Sequence, residues 1–161
     1  MSWTAMTPAE ACDLMDFWGA APWPLTRDEV QELAVDRFGW TIEVDGGVRY
    51  LMNTVSGFTV PDVSAIGARR NLSYLGLHVA DAIHEVTPAS RRFLGDAFAL
   101  MVREGESRWG VPAMSDREGV SSARWDTASG GRISFNLALK SLRARFETPQ
   151  GIALDRRAGR R

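Results

Sequence analysis

His78 and His84 are the side chains of this 161-residue sequence that change charge near neutral pH without a perturbed pKa, so acid–base chemistry would fall to one of them. A catalytic imidazole needs an orienting carboxylate, and Asp81 and Glu85 are the nearest in sequence. If residues 72–83 form a strand, alternation puts His78 on the face of His84 and opposite Asp81 and Glu85. No histidine–carboxylate pair is then assembled locally. The grouping Asp81, His84, Glu85 sits at a strand end without the spacing of a zinc helix, a cysteine pair or a calcium loop, so no metal is expected.

Other nucleophiles fare no better. Cys12 is the lone cysteine and lies between apolar Ala11 and Leu14, which reads as a small buried hydrophobe. Ser56-Gly57 and Ser129-Gly130 lack the flanking pattern of a nucleophile elbow. Neither Gly46-Gly47 nor Gly130-Gly131 leads into the helix that a phosphate loop requires. Arg69-Arg70 and Arg91-Arg92 are the basic pairs of the folded body, and no aromatic strand motif surrounds them, so nucleic acid is not expected as a partner. The expectation is a non-enzyme without a cofactor.

The aromatic residues suggest a different role. There are six tryptophans, and Trp18 and Trp23 flank a Pro/Gly-rich connector close to Asp13 and Asp16. Tryptophan buries a large area at little rotamer cost, which suits an interface. Asp13, Asp16, Trp18 and Trp23 are therefore the expected partner contacts, whereas Trp40 and Trp125 fall on inward strand positions and are expected in the core.

The elements that must position these groups can be read in order. Thr7-Pro8-Ala9-Glu10 is a capping box with proline at the first helical position, opening a helix that should stop near residue 18 ahead of Gly19 and Pro22. Thr26-Arg27-Asp28-Glu29 opens a second, with Val30, Leu33, Ala34 and Phe38 as its apolar stripe and Gly39 as its left-handed cap. From Trp40 the period becomes two, and Asp45-Gly46-Gly47 supplies a tight turn into Val48, Tyr50 and Met52.

Residues 56–70 read as a loop. Leu72 and Tyr74, then Leu77 and Val79 after an irregularity near Gly76, predict a third strand. Thr87-Pro88 starts the longest helix, with a loop following from Gly105 to Ser121. Ala123, Trp125 and Thr127, a turn at 129–131, and Ile133, Phe135 and Leu137 make a strand pair, and 139–146 extends it or adds one strand. The order helix-helix-strand-strand-strand-helix-strand-strand predicts an α+β fold: an antiparallel sheet of about five to six strands with helices on one face.

Composition agrees with one domain over 1–148. Hydrophobic residues make up 45% of the chain and its net charge is −1, so it can bury a core and should fold. No stretch approaches a membrane span and Met1-Ser2-Trp3-Thr4 lacks the features of a signal peptide, so a cytoplasmic location is expected. Charge is asymmetric: residues 1–66 carry ten acids against Arg27, Arg37 and Arg49, which leaves the remainder net basic. Residues 149–161 end in Arg156-Arg157-Ala158-Gly159-Arg160-Arg161 and read as a mobile basic tail.

Pro24-Leu25-Thr26-Arg27-Asp28-Glu29-Val30, Phe38-Gly39-Trp40, Ala123-Arg124-Trp125 and Gly131-Arg132-Ile133 resemble a family of uncharacterised small proteins of high-GC Gram-positive bacteria, over roughly residues 20–148. Such proteins are often encoded beside polymorphic toxins, so the resemblance implies an immunity protein that sequesters a cognate secreted toxin. The element order is also similar to the secretion-chaperone-like fold, which implies a chaperone or adaptor for a secreted client as the alternative. An enzyme with a site dispersed along the chain is the second alternative.

Overall fold

The computed structural model describes residues 2–68 and 70–159. Three helices start at the expected threonines. Thr7, Thr26 and Thr87 each accept the amide three residues on, and the side chains of Glu10, Glu29 and Ser90 return the bond. They open α1 (Pro8–Ala20), α2 (Arg27–Phe38) and α3 (Pro88–Trp109). Helix α2 ends on Gly39 at φ 72°, as its sequence requires.

Helix α3 runs past Gly105, where a loop was expected. A glycine inside a helix costs about 1 kcal/mol in propensity. Here the missing side chain is what allows α3 to lie on Trp125, since a Cβ at Gly105 would stand 2.8 Å from that ring. The next turn is held by Glu104 and Arg108, paired at 2.7 Å one turn apart.

Strands β1 (Thr41–Asp45) and β2 (Val48–Met52) form a separate two-stranded hairpin. The main sheet has six strands, β3 (Ser64–Ala68), β4 (Asn71–His78), β5 (Ala113–Arg117), β6 (Val120–Asp126), β7 (Arg132–Leu137) and β8 (Leu142–Glu147). Their spatial order is β3-β4-β8-β7-β6-β5, antiparallel throughout. The α+β expectation holds.

Strands β3 and β5, read as loops from sequence, are the two edges of the sheet. An edge strand buries little, so neither shows apolar alternation. Residues 139–146 contribute a strand of their own, β8.

The irregularity expected near Gly76 lies elsewhere. Ile66 opposes Tyr74 and Gly67 opposes Leu72, so Ser73 is an extra residue in β4. The bulge resets the alternation: Leu72, Leu75 and Leu77 are buried, while Tyr74 shares the other face with His78.

Helices α1 and α3 pack on each other and on β7 and β8, covering one face of the sheet. Met15, Trp18, Leu94 and Met101 meet Leu75, Leu77, Phe135, Ala144 and Phe146 in the core between them. Trp40 and Trp125 are also core residues, at 2% and 4% exposure; Trp125 sits on an inward position of β6, whereas Trp40 precedes β1, whose Val44 is exposed.

Residues 149–157, expected as tail, form a fourth helix, α4 (Pro149–Arg157). Thr148 caps it by accepting from the Gly151 amide, and its hydroxyl donates to the Leu72 carbonyl at 2.8 Å. Gly151 lies directly on the backbone of Ser73, and Ile152 is buried. Arg160 and Arg161 fall outside the described residues.

Candidate functional site

Every second residue of the six-stranded sheet points away from α1 and α3. On β6, β7 and β8 those positions hold Ser122 and Arg124, Arg132, Ser134 and Asn136, then Arg143, Arg145 and Glu147. Strand β5 adds Ser115 and Arg117, and β4 adds Tyr74 and His78. This face is helix-free over most of its area, with α4 along the β4 side. It carries five arginines.

Its largest depression, about 650 Å³, is bounded by Arg117, Arg124, Arg132 and Arg145, with Glu147 and Asp155 at one end. Ser122 donates to Asn136 at 2.7 Å, and the Asn136 amide donates to Ser134 at 3.1 Å. The floor is thus a fixed polar ladder flanked by guanidinium groups. Arg132 pairs with Asp126 at 2.9 Å and Arg145 with Glu147 at 3.7 Å. Among the described residues Arg117 and Arg124 have no carboxylate within 4.0 Å.

Arg145 stands where three depressions meet. Its guanidinium lies 3.8 Å over the Tyr74 ring, and Glu147 is 3.7 Å away, beyond hydrogen-bond length. Burial pushes the Glu147 carboxyl upward in pKa, and the nearby Arg145 and Arg132 oppose that shift.

Beside it, Arg143 donates to His78 Nε2 at 3.0 Å and to Ser64 at 3.3 Å. His78 is therefore the acceptor and carries its proton on Nδ1. Its pKa is lowered, by burial first and by Arg143 second, with Asp62 opposing. A neutral imidazole fits that arrangement.

A family model described as a family of unknown function, DUF6301, matches residues 9–148. The chain belongs to this family. The DUF6301 match takes in β1 through β8 and stops at Thr148, the cap of α4. No curated protein and no solved structure matches the chain.

In this DUF6301 chain the four residues expected as partner contacts do not form one patch. Trp18, on the inner side of α1, is wholly buried, which removes it as a surface contact. Trp23 is half-buried, stacks on Phe146 with centroids 5.5 Å apart, and donates its indole N–H to the Trp18 carbonyl at 2.7 Å. Both rings serve the core. Asp13 and Asp16 are exposed but engaged: Arg108 Nη1 lies 2.7 Å from Asp13 and 2.9 Å from Asp16, and the Trp109 indole donates to Asp16 at 2.7 Å. They clasp α1 to α3.

The other chemistry-bearing residues are scattered. His84 and Glu85 are exposed, away from the buried His78, and Asp81 accepts from the Thr4 amide at 2.7 Å. Cys12 is wholly buried, and burial pushes its thiol up to about 12. Among the described residues no three His, Cys, Asp or Glu side chains stand together as a metal site. Of the basic pairs, Arg69 lies outside the described residues, and Arg91-Arg92 are exposed on α3.

The arginine face is carried by the polar alternation of its strands, which is complementary to their apolar alternation. The signal is present: Arg124, Arg132, Ser134, Asn136, Arg143 and Arg145 occupy the complementary positions of three strands.

Proposed function

We propose that this chain is a non-enzymatic protein-binding domain whose helix-free sheet face holds an acidic surface of its partner. The observation that carries this reading is the set of five arginines on one solvent-facing sheet surface, of which Arg117, Arg124 and Arg143 have no carboxylate within 4.0 Å among the described residues. Such a field speeds association with an acidic partner and penalises basic ones. A protein is favoured over nucleic acid because among the described residues the face's aromatic ring, Tyr74, is covered by Arg145 and so is no free stacking platform.

A non-enzymatic role is supported by His78, whose Nε2 is occupied by Arg143. The resemblance to toxin-neutralising proteins supports an immunity protein as the form this binding takes, with the partner a cognate secreted toxin. The contact surface then lies on the sheet, not on the acidic helices.

A chaperone or adaptor for a secreted client is the second reading, and strand β5 favours it. Edge β3 pairs irregularly with the bulged β4 and is tied to the hairpin through Val63 donating to Leu51. Edge β5 pairs regularly with β6 and has no bulge, leaving the outward amides of Met114 and Asp116 for an added strand.

Co-expression with the product of the adjacent gene tests the proposal. Relief of that product's toxicity and a complex on size exclusion support the immunity form. Binding only to an unfolded segment supports the chaperone form, and absence of any complex contradicts both.

A further inference from the structure

We infer that Arg143 and Arg145 form a seat for a single oxyanion of about phosphate size. The two residues are alternate positions of β8 and point to the same side, their Cα atoms about 7 Å apart. They share a depression of about 400 Å³ with Ser64, Tyr74 and Asn136. A planar fork on each side of such a space can present paired N–H donors to one anion.

Arg143 is fixed by neutral partners, and Arg145 is stacked on a ring with one carboxylate, Glu147, at 3.7 Å. Arg143 is held by His78 Nε2 at 3.0 Å and by Ser64 at 3.3 Å. Arg145 is held by the Tyr74 ring at 3.8 Å, and its Nε is buried without a hydrogen-bond partner among the described residues. Their orientation is set in advance, and the charge of Arg143 meets no close carboxylate among the described residues. Preorganised donors lose little entropy on binding. The carboxylates around them are Glu147, 3.7 Å from Arg145, Asp155, which lines two depressions with Arg145, and Asp62, which acts on His78. Among the described residues no carboxylate is within 4.0 Å of Arg143.

The oxyanion is either a free ion or a group carried by the partner, and both present oxygens to the same forks. The seat lies on the face assigned above to the partner, but its existence does not depend on that partner.

Isothermal titration of the full chain with inorganic phosphate at low ionic strength, with chloride as control anion, tests it. Saturable binding of one phosphate, unmatched by chloride, is expected. Arg143→Lys and Arg145→Lys keep the charge and lose the fork, and each should weaken binding about tenfold. Arg124→Gln, across the larger depression, should leave it within about twofold. If Arg143→Lys fails to fold, Arg145→Lys and Ser64→Ala carry the comparison.

A hexaglutamate peptide competed by phosphate, and lost in Arg145→Lys, assigns the anion to a protein side chain. Phosphate binding without peptide competition assigns it to a free ion. No saturable phosphate binding, or equal weakening by Arg124→Gln, overturns the seat in favour of a diffuse field. That result leaves partner binding standing, and loss of partner binding with phosphate retained does the reverse.

Discussion

Arg145 on β8 and Tyr74 on β4 are stacked, guanidinium over ring at 3.8 Å, across two neighbouring strands. The contact exists because Ser73 is an extra residue that turns Tyr74 out of the core. Removing the ring in Tyr74→Ala should cost about 1 kcal/mol of stability and lower phosphate affinity by releasing Arg145. Tyr74→Phe keeps the stacked face and should match the wild type in both. Denaturant melts and phosphate titrations of the two variants check this, and equal affinities for Ala and Phe would show that the stack does not orient Arg145.

His78 makes stability pH-dependent in a defined direction. Its folded pKa lies below the ordinary 6.5, through burial and then Arg143. The unfolded chain therefore gains a proton at higher pH than the folded chain does. Stability present above pH 6.5 is lost as pH falls from there through the folded value. His78→Gln, whose amide oxygen can still accept from Arg143, should remove this component. Denaturant melts at pH 7.5 and 5.5 should show a steeper loss in the wild type, and parallel losses would contradict the assignment.

Gly105 is required by contact. A Cβ there would meet the Trp125 ring at 2.8 Å and the Trp109 ring at 3.0 Å. Gly105→Ala gains helix propensity, yet overpacking should leave it less stable by about 1–3 kcal/mol. A shift in tryptophan fluorescence should accompany the loss, and a stabilised variant would show that α3 yields without cost.

The clasp of Arg108 with Asp13, Asp16 and Glu104 is structural in this account. Asp13→Asn with Asp16→Asn should cost about 1 kcal/mol, since the pairs are partly exposed. Partner affinity should be unchanged within about twofold at physiological salt. A tenfold loss of affinity would return the contact surface to α1.

Much of the fold was legible because its signals are local. Threonine caps, Gly39 and the Gly46-Gly47 turn each satisfy backbone groups within four residues, so they act before any tertiary packing. The edge strands β3 and β5 were not legible, because their partners and not their own side chains define them. Trp18 was ambiguous for a related reason: tryptophan suits interface and core alike, and its burial on the inner side of α1 decides between them. The arginine face needed the register of β4, β6, β7 and β8 to bring Arg124, Arg132, Arg143 and Arg145 together. The Ser73 bulge placed Tyr74 among them, and no local pattern announces a bulge at serine.

The central claim is that the helix-free face, with its arginines, holds an acidic partner. Arg117→Glu, Arg124→Glu and Arg132→Glu together reverse that field while leaving the buried core untouched. Titration of the adjacent gene's product into wild-type and triple-variant protein at matched, verified folding is the most direct measurement. The account predicts saturable wild-type binding that weakens with added salt and falls at least about a hundredfold in the triple variant. Undiminished binding by the triple variant would contradict it.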